Sequence, residues 1–224
     1  MPGDALFVVP TRAARRPRLE TFLAAFAGTR TADTRLLIAT DDDEEGAWDD
    51  LLLPAGCAVV SAPRMSLSPK MNRWAVPAAR RAPRPVGFLA DDTVPETPGW
   101  DARLIEALSR APGIAYPAGL RADIPEHHLT SAAVIAALGW YFEPSLRHYY
   151  TDNVLADLGN GAGCLRYVPG VTVRHDRHPP GSPGDDQVYR EAAVQGPADQ
   201  AAYHHWRCTR MAGDIDTVKA AIAS

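Results

Sequence analysis

Two carboxylates stand side by side in the segment Val86-Gly87-Phe88-Leu89-Ala90-Asp91-Asp92-Thr93-Val94-Pro95. The mostly apolar residues ahead of them read as a buried strand, so Asp91 and Asp92 fall where that strand leaves its sheet. Adjacent anions repel, and a fold either leaves such a pair in water or gives it a cation. Mg²⁺ and Mn²⁺ are ions that favour carboxylate oxygen. In an open α/β sheet, ligands bind beyond the carboxyl ends of the strands, which is the position of these two residues. The same dipeptide also suits a turn in which Asp caps a loop or helix.

Other chemistry-bearing residues lie downstream. Trp140-Tyr141-Phe142 and His148-Tyr149-Tyr150 put five aromatics and a histidine into one short stretch, followed by Thr151-Asp152. Such a cluster packs a core, or stacks on sugar rings and bases. Asp152 equally suits a helix N-cap ahead of Val154 and Leu155. Alternation in Val171-Thr172-Val173-Arg174-His175 places His175 on the apolar face of Val171 and Val173, with His178 shortly after. Arg12, Arg15, Arg16 and Arg18 form one basic cluster, and Arg80, Arg81 and Arg84 another. Clusters of this kind are solvated faces or meet phosphate.

The elements that must position these residues follow from periodicity. Residues 5–9 are a continuous apolar strand ended by Pro10-Thr11-Arg12. Pro17 suits a first helical turn, and Leu19, Phe22, Leu23 and Phe26 share one helix face before Gly28. Residues 36–40 form a second strand, closed by the acidic run at 41–45, and residues 58–60 a third. Residues 63–69 read as a loop and 70–80 as a helix that Pro77 kinks or ends. The strand at Val86 follows. This order predicts a doubly wound α/β fold with a mostly parallel sheet flanked by helices.

Beyond Asp92, a turn at 98–101 leads into a helix carrying Leu104, Ile105 and Leu108, and residues 113–116 are a further strand. Thr130 or Ser131 caps a helix that runs to Leu138, with Gly139 as its stop. Residues 152–158 are a short helix. Residues 165–168 and 171–175 are expected to pair as two strands around Pro169-Gly170. The remainder reads as two or three C-terminal helices packed through Tyr203, Trp206 and Met211.

With 224 residues, 46% of them hydrophobic, the chain buries a full core. No apolar run approaches the ~20 residues of a membrane span and no secretory leader is evident, so a soluble, cytoplasmic protein is expected. Cys57, Cys164 and Cys208 are widely spaced and are expected to be core thiols rather than a disulfide framework or zinc site. The net charge of −4 argues against an overall attraction to nucleic acid.

The segment Gly87-Phe88-Leu89-Ala90-Asp91-Asp92-Thr93-Val94-Pro95, with Thr97-Pro98-Gly99-Trp100-Asp101, resembles the metal-binding D-x-D region of family 2-like nucleotide-sugar-dependent glycosyltransferases of the GT-A fold, including bacterial and phage members. Val9-Pro10-Thr11-Arg12 and Ala39-Thr40-Asp41-Asp42 are similar to that family's nucleotide-binding loops. The resemblance covers residues 5–190. It implies one GT-A-like domain, with residues 1–100 binding the nucleotide sugar and residues 101–224 binding the acceptor. It further implies a small antiparallel element on the acceptor side. The implied activity is metal-dependent, inverting transfer of a sugar from a nucleoside diphosphate to an acceptor hydroxyl. The acceptor classes are a glycan, a protein, a small molecule or modified phage-type DNA.

Residue by residue, the resemblance implies Mn²⁺ or Mg²⁺ held by Asp92, by Asp91, which otherwise meets ribose, and by His175, with His178 the weaker choice. It places Pro10, Thr11 and Arg12 at the base and ribose, Asp42 near the base, and Lys70 and Asn72 at base or diphosphate. Asp152 is the implied base for the acceptor, with Glu143 in reserve. Ala90 stands where the D-x-D pattern has its first acid, and this supports an alternative, a nucleotide-binding module without turnover. A nucleotidyltransferase is a further alternative, but the first strand lacks that class's Gly-rich loop.

Overall fold

The computed structural model describes residues 4–44, 46–176 and 186–223. Strand β1 (Asp4–Pro10) lies inside the sheet because its five middle residues, Ala5, Leu6, Phe7, Val8 and Val9, are all apolar and buried. It pairs in parallel with β2 (Asp33–Asp41) and with β4 (Val86–Phe88), and β2 pairs in parallel with β3 (Cys57–Ala62). Helix α1 (Arg16–Thr29) connects β1 to β2, and α2 (Leu67–Arg81) connects β3 to β4. This half is the parallel α/β arrangement that the apolar runs predict. Helix α2 starts earlier than expected and passes through Pro77, whose exposed side places the lost backbone hydrogen bond toward water.

The second half departs from a doubly wound sheet. After β5 (Thr93–Pro95) and α3 (Trp100–Arg110) come β6 (Ile114–Ala118) and β7 (His128–Thr130), and β7 runs antiparallel to both β4 and β6. The eight strands lie in the order β3-β2-β1-β4-β7-β6-β8-β5. Strands β5 and β7, three residues each, are too short to leave a periodic signal.

The expected pair of strands around Pro169-Gly170 is one strand, β8 (Leu165–His175). Gly170, at φ +70°, lets the backbone bend without ending it. The first part of β8 pairs in parallel with β6, and the last part pairs antiparallel with β5. Thr93 faces His175 in that register, and the Asp176 amide donates to the Asp92 carbonyl at 2.8 Å. Backbone pairing thus carries His175 to Asp92.

Helices α4 (Ala132–Leu138) and α5 (Thr151–Gly161) follow, with Ser131 at the α4 N-cap and Gly139 as its left-handed stop. Helices α6 (Gln187–Thr209) and α7 (Met211–Ala223) complete the described chain. One core cluster joins Phe7, Phe22, Phe26 and Trp100, and a second joins Val8, Met71, Phe88 and Phe142. A third gathers Trp140, Leu158, Tyr203 and Trp206, with half-buried Met211 packed on it. Of the three thiols expected in the core, Cys164 is buried, Cys57 half-buried and Cys208 exposed on α6. None of the described helices is long and apolar enough to cross a membrane.

Two residues hold the elements of the first half at close quarters. A Cβ at Gly87 would lie 2.2 Å from a Phe7 ring carbon and 2.8 Å from the His128 carbonyl oxygen, so only glycine lets β4 pack there. Asp101, fully buried, accepts from the amides of Thr31 and Ala32 at 3.0 Å and from the Thr34 hydroxyl at 2.7 Å. It ties the first turn of α3 to the α1–β2 connection. Removing it leaves the buried Thr34 hydroxyl and the two less buried amides without their acceptor, so Asp101→Ala is expected to lower unfolding stability by roughly 1–3 kcal/mol, read from the urea midpoint at unchanged slope.

Candidate active site

Because β1 and β4 are parallel neighbours, their exits open at the same edge of the sheet. The Thr11 hydroxyl donates to Asp91 Oδ2 at 2.7 Å, and Arg15 Nη1 donates to Asp91 Oδ1 at 2.9 Å. Arg15 lies in a 3₁₀ turn (Ala13–Arg15) directly after β1 and is buried, and its Nη1 is also 3.5 Å from Asp92 Oδ2. Its other nitrogens meet Asp186 at 2.9 and 3.3 Å, and Arg18 reaches the same carboxylate at 3.1 Å. The Tyr189 hydroxyl donates to Asp92, and the Arg15 guanidinium lies 4.3 Å from the Tyr189 ring centroid.

The two carboxylates respond differently to this setting. Burial is the main cause that pushes Asp91 up to about 6, with Arg15 opposing it and the negative Asp92 adding to it. Burial pushes Asp92 up as well, but His175, Arg15 and Tyr189 outweigh it and hold the carboxyl below its ordinary range. Burial of Arg15 disfavours its charge, yet Asp91, Asp92 and Asp186 more than compensate, and it holds its proton more tightly than usual.

These exits border a cavity of about 270 Å³. Pro10, Thr11, Arg12, Lys70, Asp91, Asp92, Asp152 and His175 all line it, so eight of the residues expected at the site converge on one space. Lys70 Nζ stands 2.5 Å from Asp41 Oδ1, and Arg12 Nε is 3.5 Å from Asp41 Oδ2. Asp152 sits in the first turn of α5, whose N-cap is Tyr150 rather than Asp152. Tyr150 has φ +65°, a left-handed conformation rare for a bulky residue, and it sets the direction in which α5 starts.

Three expected residues are corrected. Asp42 is exposed in the turn after β2 and lies outside the cavity lining; the neighbouring Asp41, the last residue of β2, is buried and pairs with Lys70. Asn72 also lies outside the lining. Its side chain donates to the Phe142 carbonyl at 2.7 Å and accepts from the amides of Tyr141 and Phe142 at 2.7 and 2.9 Å, bracing the aromatic segment. Glu143, the reserve base, is fully buried outside the cavity lining and bound to Ser145 and Arg210. His178 lies outside the described residues.

Several residues at or around the cavity have no clear mark in the sequence. Tyr189 and Glu191 on α6 line it, and Glu191 pairs with Arg12. Glu126 and His127 line it from just before β7. Asp199, buried in the middle of α6, accepts from the amides of Arg147, His148 and Tyr149 at 2.8, 2.9 and 2.8 Å. A lone Asp in a mixed helix reads as solvated face, so nothing in the sequence points to this role. Arg15 is legible only as one member of a basic cluster.

This architecture is a GT-A-like α/β fold, the fold of nucleotide-sugar glycosyltransferases. Solved structures of the glycosyltransferase TarS from S. aureus match it at low identity. The complex of TarS 1–349 with UDP-GlcNAc gives a TM-score of 0.58 at 10% identity, covering 85% of this chain and 64% of that one. The complex with UDP gives 0.57 at 10%, covering 77% and 60%. TarS itself gives 0.57 at 12%, covering 94% and 45%. The chain therefore spans less than two thirds of the length of these structures. No family model matches the sequence, and no curated protein does.

The Asp199 contacts make a local prediction. Asp199→Ala leaves three backbone donors of the 147–149 turn without their acceptor, and hydrogen exchange at those amides is expected to accelerate about 30-fold or more relative to amides of β1. Unchanged protection of the turn contradicts this role.

Proposed function

We propose that this protein transfers a sugar from a nucleoside diphosphate to an acceptor hydroxyl with the help of a divalent cation. The observation that carries the reading is the convergence of Arg12, Lys70, Asp92, His175 and Asp152 on one cavity at the carboxyl edge of a GT-A-like sheet. TarS, which shares the fold, is known in complex with UDP and with UDP-GlcNAc. In this reading residues 1–100 supply the nucleotide side and residues 101–224 the acceptor side.

Pro10, Thr11 and Arg12 border the base and ribose, and Lys70 and Arg12 face the diphosphate. In the structure Arg12 pairs with Glu191, and Arg15 and Arg18 with Asp186. A diphosphate brings negative charge to these same guanidiniums, so its entry exchanges one set of anionic partners for another. Asp91 is engaged by Thr11 and Arg15 through both oxygens, and its role is to fix the 3₁₀ turn and to add charge beside the cation.

The donor set fits a divalent cation at Asp92 and His175. Asp92 Oδ1 is sealed from solvent and accepts no aligned hydrogen bond, while His175 Nε2 stands 3.3 Å from it. A bound Mn²⁺ or Mg²⁺ supplies Lewis-acid stabilisation of the charge that grows on the leaving diphosphate. Asp152, carried on α5, takes the proton of the acceptor hydroxyl, and an inverting transfer needs such a base opposite the leaving group.

A second reading, nucleotide binding without turnover, is favoured by two observations: Arg15 already sets a positive charge against both acids, and Ala90 replaces the first acid of the D-x-D pattern. Thermal unfolding against UDP, GDP, CDP, ADP and dTDP, with and without Mn²⁺, separates the readings from a likeness of fold alone. One diphosphate with Mn²⁺ is expected to stabilise the protein by about 2.7 kcal/mol at a hundredfold excess over its dissociation constant. Asp92→Asn is expected to abolish the metal-dependent part. No shift with any nucleotide contradicts both readings. Asp152→Asn is expected to keep nucleotide binding within about twofold while lowering transfer by about 10²–10⁴-fold; loss of nucleotide binding in that variant removes Asp152 from the role of base.

A further inference from the structure

Two histidines stand next to each other at the start of β7, and they are placed differently. His128 is a packed core residue: its Nδ1 lies 3.0 Å from the Pro125 carbonyl, and its ring stacks on Tyr141 with centroids 5.3 Å apart. His127 is just as buried, at 2% exposure, yet neither of its ring nitrogens has a hydrogen-bond partner among the described residues. A neutral imidazole carries one donor and one acceptor, and burying both without partners is costly. The side chain faces the cavity and lies beside His175, the ring centroids being 5.0 Å apart.

Around it are other donors of the same kind. Ligand atoms of Glu126, His127 and His175 all lie within 4.8 Å of one another. His175 Nδ1 is buried without a hydrogen-bond partner among the described residues as well, and Asp92 Oδ1, also buried, meets His175 Nε2. Donors on one cation at about 2.1 Å are spaced about 3.0–4.2 Å apart, so small side-chain rotations close the group of Glu126, His127 and His175, to which Asp92 is joined through His175. The 3.3 Å between His175 Nε2 and Asp92 Oδ1 already falls in that range.

We propose that His127 is a protein ligand of the cation alongside Asp92 and His175, with Glu126 at the edge of the same coordination sphere. The proposal rests on the metal-assisted part of the reading above and extends it. Two imidazoles and a carboxylate form a borderline donor set, which suits Mn²⁺ and later first-row metals, whereas Mg²⁺ takes oxygen and water. The chain therefore selects Mn²⁺ over Mg²⁺. Asp91, bonded through both oxygens to Thr11 and Arg15, stands outside the ligand set.

The test titrates the full chain with Mn²⁺ alone and with Mg²⁺ alone by calorimetry. Wild type is expected to bind one Mn²⁺ at least tenfold more tightly than Mg²⁺, and His127→Asn to weaken Mn²⁺ at least tenfold while Mg²⁺ changes less. Mn²⁺ affinity within twofold of wild type in His127→Asn, or no binding by wild type, overturns the proposal; in the latter case side chains such as Arg15 serve the acidic pair in place of a metal. Should the variant fail to fold, proton NMR of Co²⁺-loaded wild type decides the matter: two hyperfine-shifted imidazole N–H signals are expected, and a single one overturns it. Mn²⁺ binding that needs His127 without any nucleoside diphosphate binding leaves this inference standing and removes the transferase reading. Nucleotide binding that ignores His127 does the reverse.

Discussion

Asp91 and Asp92 are neighbouring carboxylates held out of water at the end of β4, and the local structure is arranged to keep both there. Burying one uncompensated charge costs several kcal/mol, and a second beside it adds Coulomb repulsion. Arg15 answers both charges from the turn after β1, and Thr11 adds a hydroxyl to Asp91. Asp186 then balances Arg15 and Arg18, bringing the start of α6 over the cavity. The edge of the sheet, the 3₁₀ turn and the C-terminal helix are joined through a single alternating array of charges.

The same pair explains the importance of the bent strand β8. A residue at the end of the chain's last strand reaches Asp92 only if that strand leaves its parallel partner β6 and pairs antiparallel with β5. Pro169-Gly170 makes the bend, and the pairing of Thr93 with His175 fixes the outcome to the residue. Asp199 and Asn72 do similar work on the aromatic side, taking up the backbone amides of residues 141, 142 and 147–149 so that Tyr150 and Asp152 enter the cavity in one orientation.

How much of this was legible in the sequence depended on the range of the interaction. The buried parallel strands β1, β2 and β4 show as continuous apolar runs, and the acidic exit of β4 marks the site directly. Gly139 ends α4 in the left-handed conformation its type allows, and Ser131 stands at the N-cap position with its hydroxyl accepting from the Gly113 amide instead. Strands β5 and β7 were not legible, since a three-residue strand has no period and exists only through its neighbours. The family resemblance implies nucleotide roles for Asp42 and Asn72, and neither lines the cavity. Where β2 ends decides which carboxylate is buried, Asp41 inside the strand or Asp42 in the turn after it, and the Asn72 amide is captured by a segment far along the chain. His127 is one of two adjacent histidines where a loop enters β7, and it shows its character only through what surrounds it.

The central claim is that this cavity receives a nucleoside diphosphate. A crystal structure of the protein grown with UDP and Mn²⁺ tests it most directly. The account predicts diphosphate oxygens within hydrogen-bonding reach of Arg12 or Arg15, with the Arg12–Glu191 or Arg15–Asp186 pairing broken in exchange. A diphosphate seated elsewhere, or none at saturating UDP with both pairings intact, contradicts it.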